Sequence, residues 1–286
     1  MNIDMPTEEN PVTVIEGDCL SVLQSLPDGC VDAVVTDPPY PCIKRDYGYW
    51  TEAEWFDLMN PVVEQCRRVL KPTGSAVFIL QPNSERVGRM RTWLWEFMAK
   101  WGREWGMVQD AYWWNPSALP SGGIDRRIGL MRPSVKPCVW LGPEGCWRDQ
   151  GAVLWSETKQ CMATRSMDRF ERKSPAGSRR VVQRRMGDVA MERGGVTPFN
   201  LFPVARCNRE DSNGAGTPEE LVRWWVRYIC SPGGTVLEPF LGSGTVALAA
   251  IAEGRRCIGV ERIPKYAQIA RERVAKVLDR GLFADV

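Results

Sequence analysis

The sequence predicts an α/β protein whose largely parallel sheet is interrupted by one long irregular segment. Apolar runs of strand length alternate with amphipathic helical segments over residues 12–114 and again over 218–278, a pattern typical of strand–helix repeats. Residues 115–205 lack this alternation and are rich in Gly, Pro, Ser and Arg. Because open α/β sheets bind ligands at the carboxyl ends of their strands, the residues that follow each strand are the candidates for chemistry.

The first half of the chain begins the alternation at residue 12. Its apolar runs 31–35 and 74–81 carry few polar residues, which is typical of strands covered on both faces. Thr51 and Glu54 have the spacing of a capping box and predict the start of a long helix. In order, the predicted elements are strand 12–15, helix 19–26, strand 31–35, helix 51–70, strand 74–81, helix 85–100 and strand 107–114.

The second half resumes the alternation at Pro218. Glu219 and Glu220 follow this proline, and together they indicate a helix start, because proline suits the first turn and acidic side chains favour the positive end of the helix dipole. The predicted elements are helix 218–230, strand 235–238, helix 245–253, strand 257–261 and helix 264–278.

Composition narrows the possible chemistry. The 286 residues include no histidine, which excludes Ser–His and Cys–His catalysis and disfavours a zinc site. The ten cysteines form no Cys-x-x-Cys pair, so we expect reduced thiols and no metal site. The acidic start of the chain is unlike a secretory signal, and no apolar stretch has the length of a membrane span. We therefore expect a cytoplasmic protein without a membrane partner.

Charge is unevenly distributed along the chain. The formal net charge is +2, but residues 115–206 contain 13 Arg and 3 Lys against 8 acidic residues. This segment therefore carries +8 and the remainder of the chain carries −6. An arginine-rich segment on an acidic body is typical of a protein that binds a polyanion.

A glycine loop follows the predicted strand 235–238. Gly242 and Gly244 permit a tight turn at the start of the next helix and let the backbone approach a ligand. Glu261 ends the following strand, the position of a carboxylate that binds ribose hydroxyls. Glu238 lies just before the loop, where a carboxylate would repel a pyrophosphate but attract a cation such as the ammonium group of S-adenosylmethionine. These residues predict a nucleoside site that favours this cofactor.

The tetrad Asp37-Pro38-Pro39-Tyr40 follows the predicted strand 31–35. The exocyclic amine of a nucleobase is a poor nucleophile, because its lone pair is delocalised into the ring. The Asp37 carboxylate and the Pro38 carbonyl could accept its two N–H groups and direct the lone pair outward, while the prolines make the turn rigid. Tyr40 offers a flat face on which an extruded base can stack.

The tetrad and the glycine loop together resemble the motifs of the amino-group DNA methyltransferases that use S-adenosylmethionine. In the β group of that family the tetrad comes first, the target-recognition region second and the cofactor loop last, as they do here. The resemblance implies a circularly permuted, Rossmann-like class I methyltransferase fold with a mixed sheet of about seven strands, one of them antiparallel. It divides the chain into a catalytic half at 11–115, a target-recognition region at 116–205 and a cofactor-binding half at 206–280.

The resemblance also assigns residues. The catalytic residues are Asp37, Pro38, Pro39 and Tyr40. The cofactor-binding residues are Asp18, Cys19, Asp37, Ala215, Glu238, Pro239, Phe240, Gly242, Ser243, Gly244, Thr245, Glu261 and Arg262. The residues expected to bind double-stranded DNA are Arg126, Arg127, Arg132, Arg165, Arg169, Arg179, Arg180, Arg184 and Arg185.

Aspartate at the first position of the tetrad favours methylation of adenine N6 in duplex DNA, without a covalent enzyme intermediate. Methylation of cytosine N4 is the alternative within the same chemistry, because family members with serine at that position favour cytosine. A C5-cytosine enzyme would need its Pro-Cys nucleophile at the strand end, whereas Pro41-Cys42 follows the tetrad. A non-catalytic DNA-binding module stays open, and a nicotinamide oxidoreductase is disfavoured by the incomplete glycine fingerprint. Dimerisation is common among resembling proteins, so a homodimer is a further expectation.

Overall fold

A computed structural model describes residues 3–86, 88–116, 131, 133–155, 193–205 and 216–279. The strands are β1 (Val12–Glu16), β2 (Val31–Thr36), β3 (Leu70–Ile79), β4 (Ser84–Arg86), β5 (Arg89–Met90), β6 (Met107–Gln109), β7 (Tyr112–Trp114), β8 (Val135–Leu141), β9 (Leu201–Pro203), β10 (Thr235–Glu238) and β11 (Arg256–Glu261). The helices are α1 (Cys19–Ser25), α2 (Glu52–Val69), α3 (Trp93–Trp101), α4 (Glu219–Ile229), α5 (Thr245–Ala252) and α6 (Pro264–Asp279). None of the helices in these ranges is long and apolar enough to cross a membrane.

Nine of the described strands form one mixed sheet. Its order is β1-β11-β10-β2-β3-β8-β7-β9, with β6 also paired to β8. The first five strands are parallel to one another, whereas β8 is antiparallel to β3, β6 and β7. The α/β class and the antiparallel strand are thus confirmed. The sheet has nine strands where about seven were predicted, and the short strands β6, β7 and β9 lie on the far side of β3 from β2, together with β8.

Helices cover both faces of this sheet. Along β2, Ala33 and Val35 belong to the hydrophobic cluster that includes α4, α5 and α6, whereas Val34 belongs to the cluster that includes α1, α2 and α3. Both faces of the parallel strands are therefore apolar, which explains their continuous apolar runs. At the start of α2 the predicted capping box is present, with Thr51 and Glu54 each accepting a hydrogen bond from the other's backbone N–H.

The last part of the chain completes the middle of the sheet. Val236 of β10 pairs with Ala33 of β2 on one side and with Cys257 of β11 on the other. Because these three strands are parallel, the segments that follow them meet at one edge. The tetrad, the glycine loop and Glu261 therefore lie together, although some 200 residues separate the first from the other two.

Two predicted elements are corrected by the structure. The predicted helix 85–100 is wrong in its first part, because β4 and β5 form a hairpin there and α3 begins at Trp93. Gly88 lies in this hairpin with φ of +81°, a left-handed conformation that a right-handed helix cannot continue through. The predicted strand 107–114 is two strands, β6 and β7, both paired to β8. Residues 110 and 111 between them leave the regular ladder, although the N–H of Cys138 in β8 still donates to the Ala111 carbonyl at 2.8 Å.

The chain separates into two compact units, Met1–Arg148 with Asn200–Val286 and Asp149–Phe199. The first unit holds the sheet, including β8 and β9 from the predicted target-recognition region. In the described part of the second unit, Gly151–Val153 forms a short 3-10 turn and Trp155 pairs with Val196. The functional boundaries at 115/116 and 205/206 stay predictions.

Candidate active site

A cavity of about 250 Å³ opens at the edge where β2, β10 and β11 end. Its lining includes many of the predicted cofactor residues: Asp18, Cys19, Asp37, Pro239, Phe240, Gly242, Ser243, Glu261 and Arg262. A smaller cavity of about 160 Å³ shares Asp37, Phe240 and Gly242 with the first and is also lined by Glu238 and Thr245. The two cavities thus bring together every described member of the predicted cofactor set except Gly244.

The glycine loop turns sharply between β10 and α5. Gly242 has φ of +54° and its N–H donates to Glu261 Oε2 at 2.7 Å. Gly244 has φ of +88°, and a Cβ atom there would come within 3.0 Å of Ala270 in α6. Gly244 therefore serves the close packing of two helices rather than the wall of a cavity.

Glu261 is held in place by backbone donors. Its Oε2 accepts the N–H of Gly242 and its Oε1 accepts the N–H of Ile263, both at 2.7 Å. A carboxylate offers about four lone-pair positions, so both oxygens keep the capacity to accept hydroxyl groups from the cavity. The geometry suits the predicted recognition of a ribose.

Glu238 is a buried carboxyl group, only 2% exposed. Its Oε1 accepts the hydroxyl of Thr36 at 2.5 Å and the N–H of Phe240 at 2.9 Å. Burial nevertheless raises the pKa of Glu238 to about 8, and the nearby carboxylates of Asp37 and Glu261 add to this. A cation bound in the adjoining cavity would favour the ionised form, so this residue is suited to an ammonium group.

Asp18 and Cys19 form another part of the cavity wall. Asp18 caps α1, since its Oδ1 accepts the backbone N–H of Ser21 at 3.0 Å and the Ser21 hydroxyl at 2.9 Å. Burial raises the pKa of the Cys19 thiol to about 12, so this sulfur is neutral at physiological pH. Both residues are therefore suited to packing and hydrogen bonding rather than to nucleophilic catalysis.

The opposite wall comes from the loop after the tetrad. Tyr47 and Trp50 stack with ring centroids 5.5 Å apart and line the larger cavity, whereas Tyr49 is 54% exposed. Arg262 lies over the Trp50 ring at 5.8 Å and donates to the Tyr47 carbonyl at 2.7 Å. Tyr266 donates to Asp46 at 2.7 Å, which fastens the same loop to the start of α6. Tyr47 and Trp50 are not among the residues predicted from the sequence to bind the cofactor.

In the tetrad, both carboxylate oxygens of Asp37 accept hydrogen bonds from hydroxyl groups. The Tyr40 hydroxyl donates to Oδ1 and the Thr217 hydroxyl donates to Oδ2. The buried Pro39 accepts a hydrogen bond at its carbonyl from Trp55 Nε1 of α2 at 2.6 Å, which fixes the turn. Pro38 is also buried, so the four residues form a rigid acceptor group at the end of β2.

Thr217 and Lys136 contact the tetrad and are not among the residues predicted from the sequence. Lys136 of β8 is only 7% exposed, and its Nζ lies 3.4 Å from the Tyr40 hydroxyl oxygen and 4.8 Å from the Trp113 ring centroid. A lysine inside an otherwise apolar strand is a signal that could have identified it. Thr217 carries no such signal, because threonine before a helix start is an ordinary residue.

Some predicted residues lie outside the described part of the chain. These are Ala215 of the cofactor set and the DNA-binding set Arg126, Arg127, Arg132, Arg165, Arg169, Arg179, Arg180, Arg184 and Arg185. Within the described ranges there is no group of three or more His, Cys, Asp or Glu side chains that could hold a metal ion.

The fold is that of a class I methyltransferase. The cytosine-N4-specific PvuII DNA methyltransferase superimposes with a TM-score of 0.69 at 20% identity, over 98% of this chain and 96% of that chain. TTHA0409 of Thermus thermophilus, solved in complex with S-adenosyl-L-methionine, superimposes with a TM-score of 0.55 at 23% identity, over 92% of this chain and 94% of that chain. The permuted order expected of this fold is present, since the tetrad strand precedes the glycine-loop strand.

The particular family follows from the sequence. The model of the N6/N4 DNA methylase family matches residues 31–272, and the chain belongs to this family. It is 25% identical to the type II methyltransferase M.PvuII of Proteus hauseri, over 93% of this chain and 87% of the relative. It is 28% identical to the type II methyltransferase M.Cfr9I of Citrobacter freundii, over 94% of this chain and 89% of the relative.

Proposed function

We propose that this chain transfers a methyl group from S-adenosylmethionine to N4 of a cytosine in duplex DNA. The observation that carries amine methylation is the position of Asp37. Asp37 lines both cavities, so a cofactor that extends from the larger cavity to Glu238 in the smaller one would meet, beside Asp37, an amine held by the tetrad.

The cofactor is S-adenosylmethionine, which supplies an activated methyl group when bound. Glu238 would pair with its ammonium group, because a cation in the cavity would stabilise the ionised form of this buried carboxyl. Glu261 would accept the ribose hydroxyls, and Asp18 would lie by the adenine, as the family resemblance implies.

The tetrad residues act on the target amine. A base extruded from the duplex would stack on Tyr40, and the Asp37 carboxylate would accept one of its amine N–H groups in exchange for a hydroxyl donor. The nitrogen would bond to the methyl carbon as the carbon–sulfur bond of the bound methyl donor breaks. The methylated nitrogen would then lose one proton, which the Asp37 carboxylate would accept.

Cytosine is the first candidate base, because this chain matches M.PvuII along nearly its whole length and the PvuII DNA methyltransferase is cytosine-N4-specific. Adenine N6 is the second candidate, because the tetrad begins with Asp37, the residue that favours adenine in resembling enzymes. The arginines of residues 116–205 are proposed to contact the DNA, and a homodimer stays a prediction.

Nucleoside mass spectrometry tests this proposal. Unmethylated duplex DNA of varied sequence would be incubated with the protein and S-adenosylmethionine, digested and compared with DNA treated with the Asp37→Ala variant. The expected product is N4-methylcytosine. N6-methyladenine would retain the amine mechanism and replace the base, whereas no methylated nucleoside would overturn the proposed activity.

A further inference from the structure

The 84–90 hairpin is an exposed element beside the tetrad. β3 is parallel to β2, with Phe78 paired to Thr36, so the chain leaves β3 at the edge where the tetrad lies. Every described residue of the hairpin is exposed, including Met90 at 49%. A two-stranded hairpin with no buried face contributes little to stability, so the packing of the core does not account for it.

The base of the hairpin is nevertheless firmly fixed to the active site. Asn83 donates from Nδ2 to the Pro41 carbonyl, next to Tyr40, at 2.6 Å, and accepts at Oδ1 from Trp93 Nε1 at 2.9 Å. The Asn83 carbonyl accepts the N–H of Arg91 at 3.0 Å, and Arg91 Nη1 donates to Glu52 at 2.7 Å. The hairpin is thus held in a set position relative to the tetrad turn.

The two arginines of the hairpin face each other across its strands. Arg86 and Arg89 are direct partners in the pairing of β4 with β5. Like charges in direct opposition destabilise a strand pair. Glu85 forms a 3.1 Å ion pair with Arg89, but the two side chains are 49% and 63% exposed, so this ion pair offsets little of the repulsion between the arginines. An unfavourable pair of guanidinium groups becomes favourable when an anion lies between them, and a phosphate can accept bidentate hydrogen bonds from guanidinium groups.

We propose that Arg86 and Arg89 together bind one backbone phosphate of the DNA duplex, beside the nucleotide that the tetrad holds. The hairpin thereby becomes a DNA-contacting element of the catalytic half, separate from residues 116–205. The proposed phosphate contact rests on the proposed function only because it takes duplex DNA as the partner. It does not depend on which base is methylated. A phosphate contact carries no sequence information, so its role is to fix the register of the duplex at the active site.

The test is the salt dependence of DNA binding, measured by fluorescence anisotropy with a labelled short duplex of arbitrary sequence. The double variant Arg86→Ala/Arg89→Ala should bind every duplex more weakly by a similar factor, and the slope of log Kobs against log salt should fall by about 0.9. The Arg86→Lys/Arg89→Lys variant should keep the slope. The matched control is Arg103→Ala, an exposed arginine in the turn Gly102–Gly106 at the opposite edge of the sheet.

Glu85→Gln provides a test in the opposite direction. It removes the carboxylate that competes with phosphate for Arg89, so DNA binding should tighten. Thermal midpoints and S-adenosylmethionine binding of all variants should match the parent, because the substituted residues are exposed. An unchanged slope and affinity in the double alanine variant, or no DNA binding by the parent, would overturn the proposal. DNA binding that depends on the hairpin in a protein that methylates nothing would sink the proposed activity and leave this inference intact.

Discussion

The cofactor end and the base end of this site are assembled in different ways. At the cofactor end, Glu261 accepts N–H groups from Gly242 and Ile263, which lie 19 and 2 residues away. At the base end, Asp37 accepts a hydroxyl from Thr217 at a distance of 180 residues, and Lys136 reaches Tyr40 across 96 residues. The Glu261 contacts are the local product of a strand, a loop and a helix, whereas the Asp37 and Tyr40 contacts form only when distant segments have folded together.

Replacing Asp37 should have the largest effect, because it should lower the rate of methylation and leave cofactor binding largely unchanged. Asp37→Ala removes the acceptor for the amine, and kcat should fall by about 10³-fold or more. Binding of S-adenosylmethionine, measured by calorimetry, should largely persist because Glu238 and Glu261 remain. The control is Asp28→Ala, which removes a carboxylate that is 80% exposed in an ion pair with Arg68. Methylation by Asp37→Ala at the parent rate would exclude Asp37 from the chemistry.

Replacing Glu238 should instead weaken cofactor binding more than it lowers the rate. Glu238→Gln keeps the size of the side chain but cannot become an anion, so the affinity for S-adenosylmethionine should fall by about 30- to 100-fold, or about 2–3 kcal/mol. The rate at saturating cofactor should change much less. Calorimetric titration and initial rates measure the two quantities, and a variant that loses kcat while keeping affinity would contradict the assignment.

The protonation of Glu238 gives this prediction a pH dependence. Its pKa is about 8 in the folded protein and 4.5 in the reference state, so its contribution to stability is fully present below pH 4.5 and is lost as pH rises through 8. A bound cation reverses this preference, so cofactor binding near neutral pH should release about one proton. Calorimetry in buffers of different ionisation enthalpy measures that proton, and Glu238→Gln should abolish its release.

Replacing Lys136 should have a moderate effect on kcat through the base end of the site. Lys136→Met keeps the length of the side chain but removes the charge beside the Tyr40 hydroxyl, so we expect a decrease in kcat of about tenfold. Cofactor affinity should stay at the parent value, because Lys136 does not line the larger cavity. Equal losses in kcat and in cofactor affinity would indicate a general defect of the fold instead.

Thr217 should give the smallest effect. Thr217→Val keeps the shape of the side chain and removes the hydroxyl that donates to Asp37, so kcat should fall by about fivefold, near 1 kcal/mol. Thr217→Ser restores a hydroxyl and should recover most of the rate. If serine fails to rescue the rate measured with valine, the hydrogen bond to Asp37 is not the cause.

Much of this architecture could be predicted because it is local. Apolar runs identify β2, β3 and β10 as strands covered on both faces, and Thr51 with Glu54 identifies the start of α2. The glycine loop and Glu261 follow from one strand–loop–helix–strand unit, and nearly all of its described residues meet at the cavities. In each case the sequence pattern lies within the element that it predicts or a few residues from it.

What could not be predicted depends on tertiary contacts or on one backbone angle. The arginines, Glu85 and Met90 suit a helix as well as a hairpin, and the left-handed Gly88 decides between them. Tyr47 and Trp50 become a cavity wall through Arg262, which lies 215 residues from Tyr47. Lys136 lies within the predicted target-recognition region and Thr217 follows that region, and no pattern within either segment indicates that both residues contact the tetrad.

The position of β10 between β2 and β11 has a consequence for synthesis of the chain. While the ribosome is making the first 234 residues, the edge of β2 that will receive β10 has no strand beside it, and an open apolar edge invites pairing with other chains. Thr235–Glu238 fills this gap when it emerges and brings Glu238 to Thr36, whereas β1 has no partner strand until β11 follows with Glu261. A nascent chain should therefore gain protection of β2 from proteolysis first, and the ability to retain the cofactor once Glu261 has emerged.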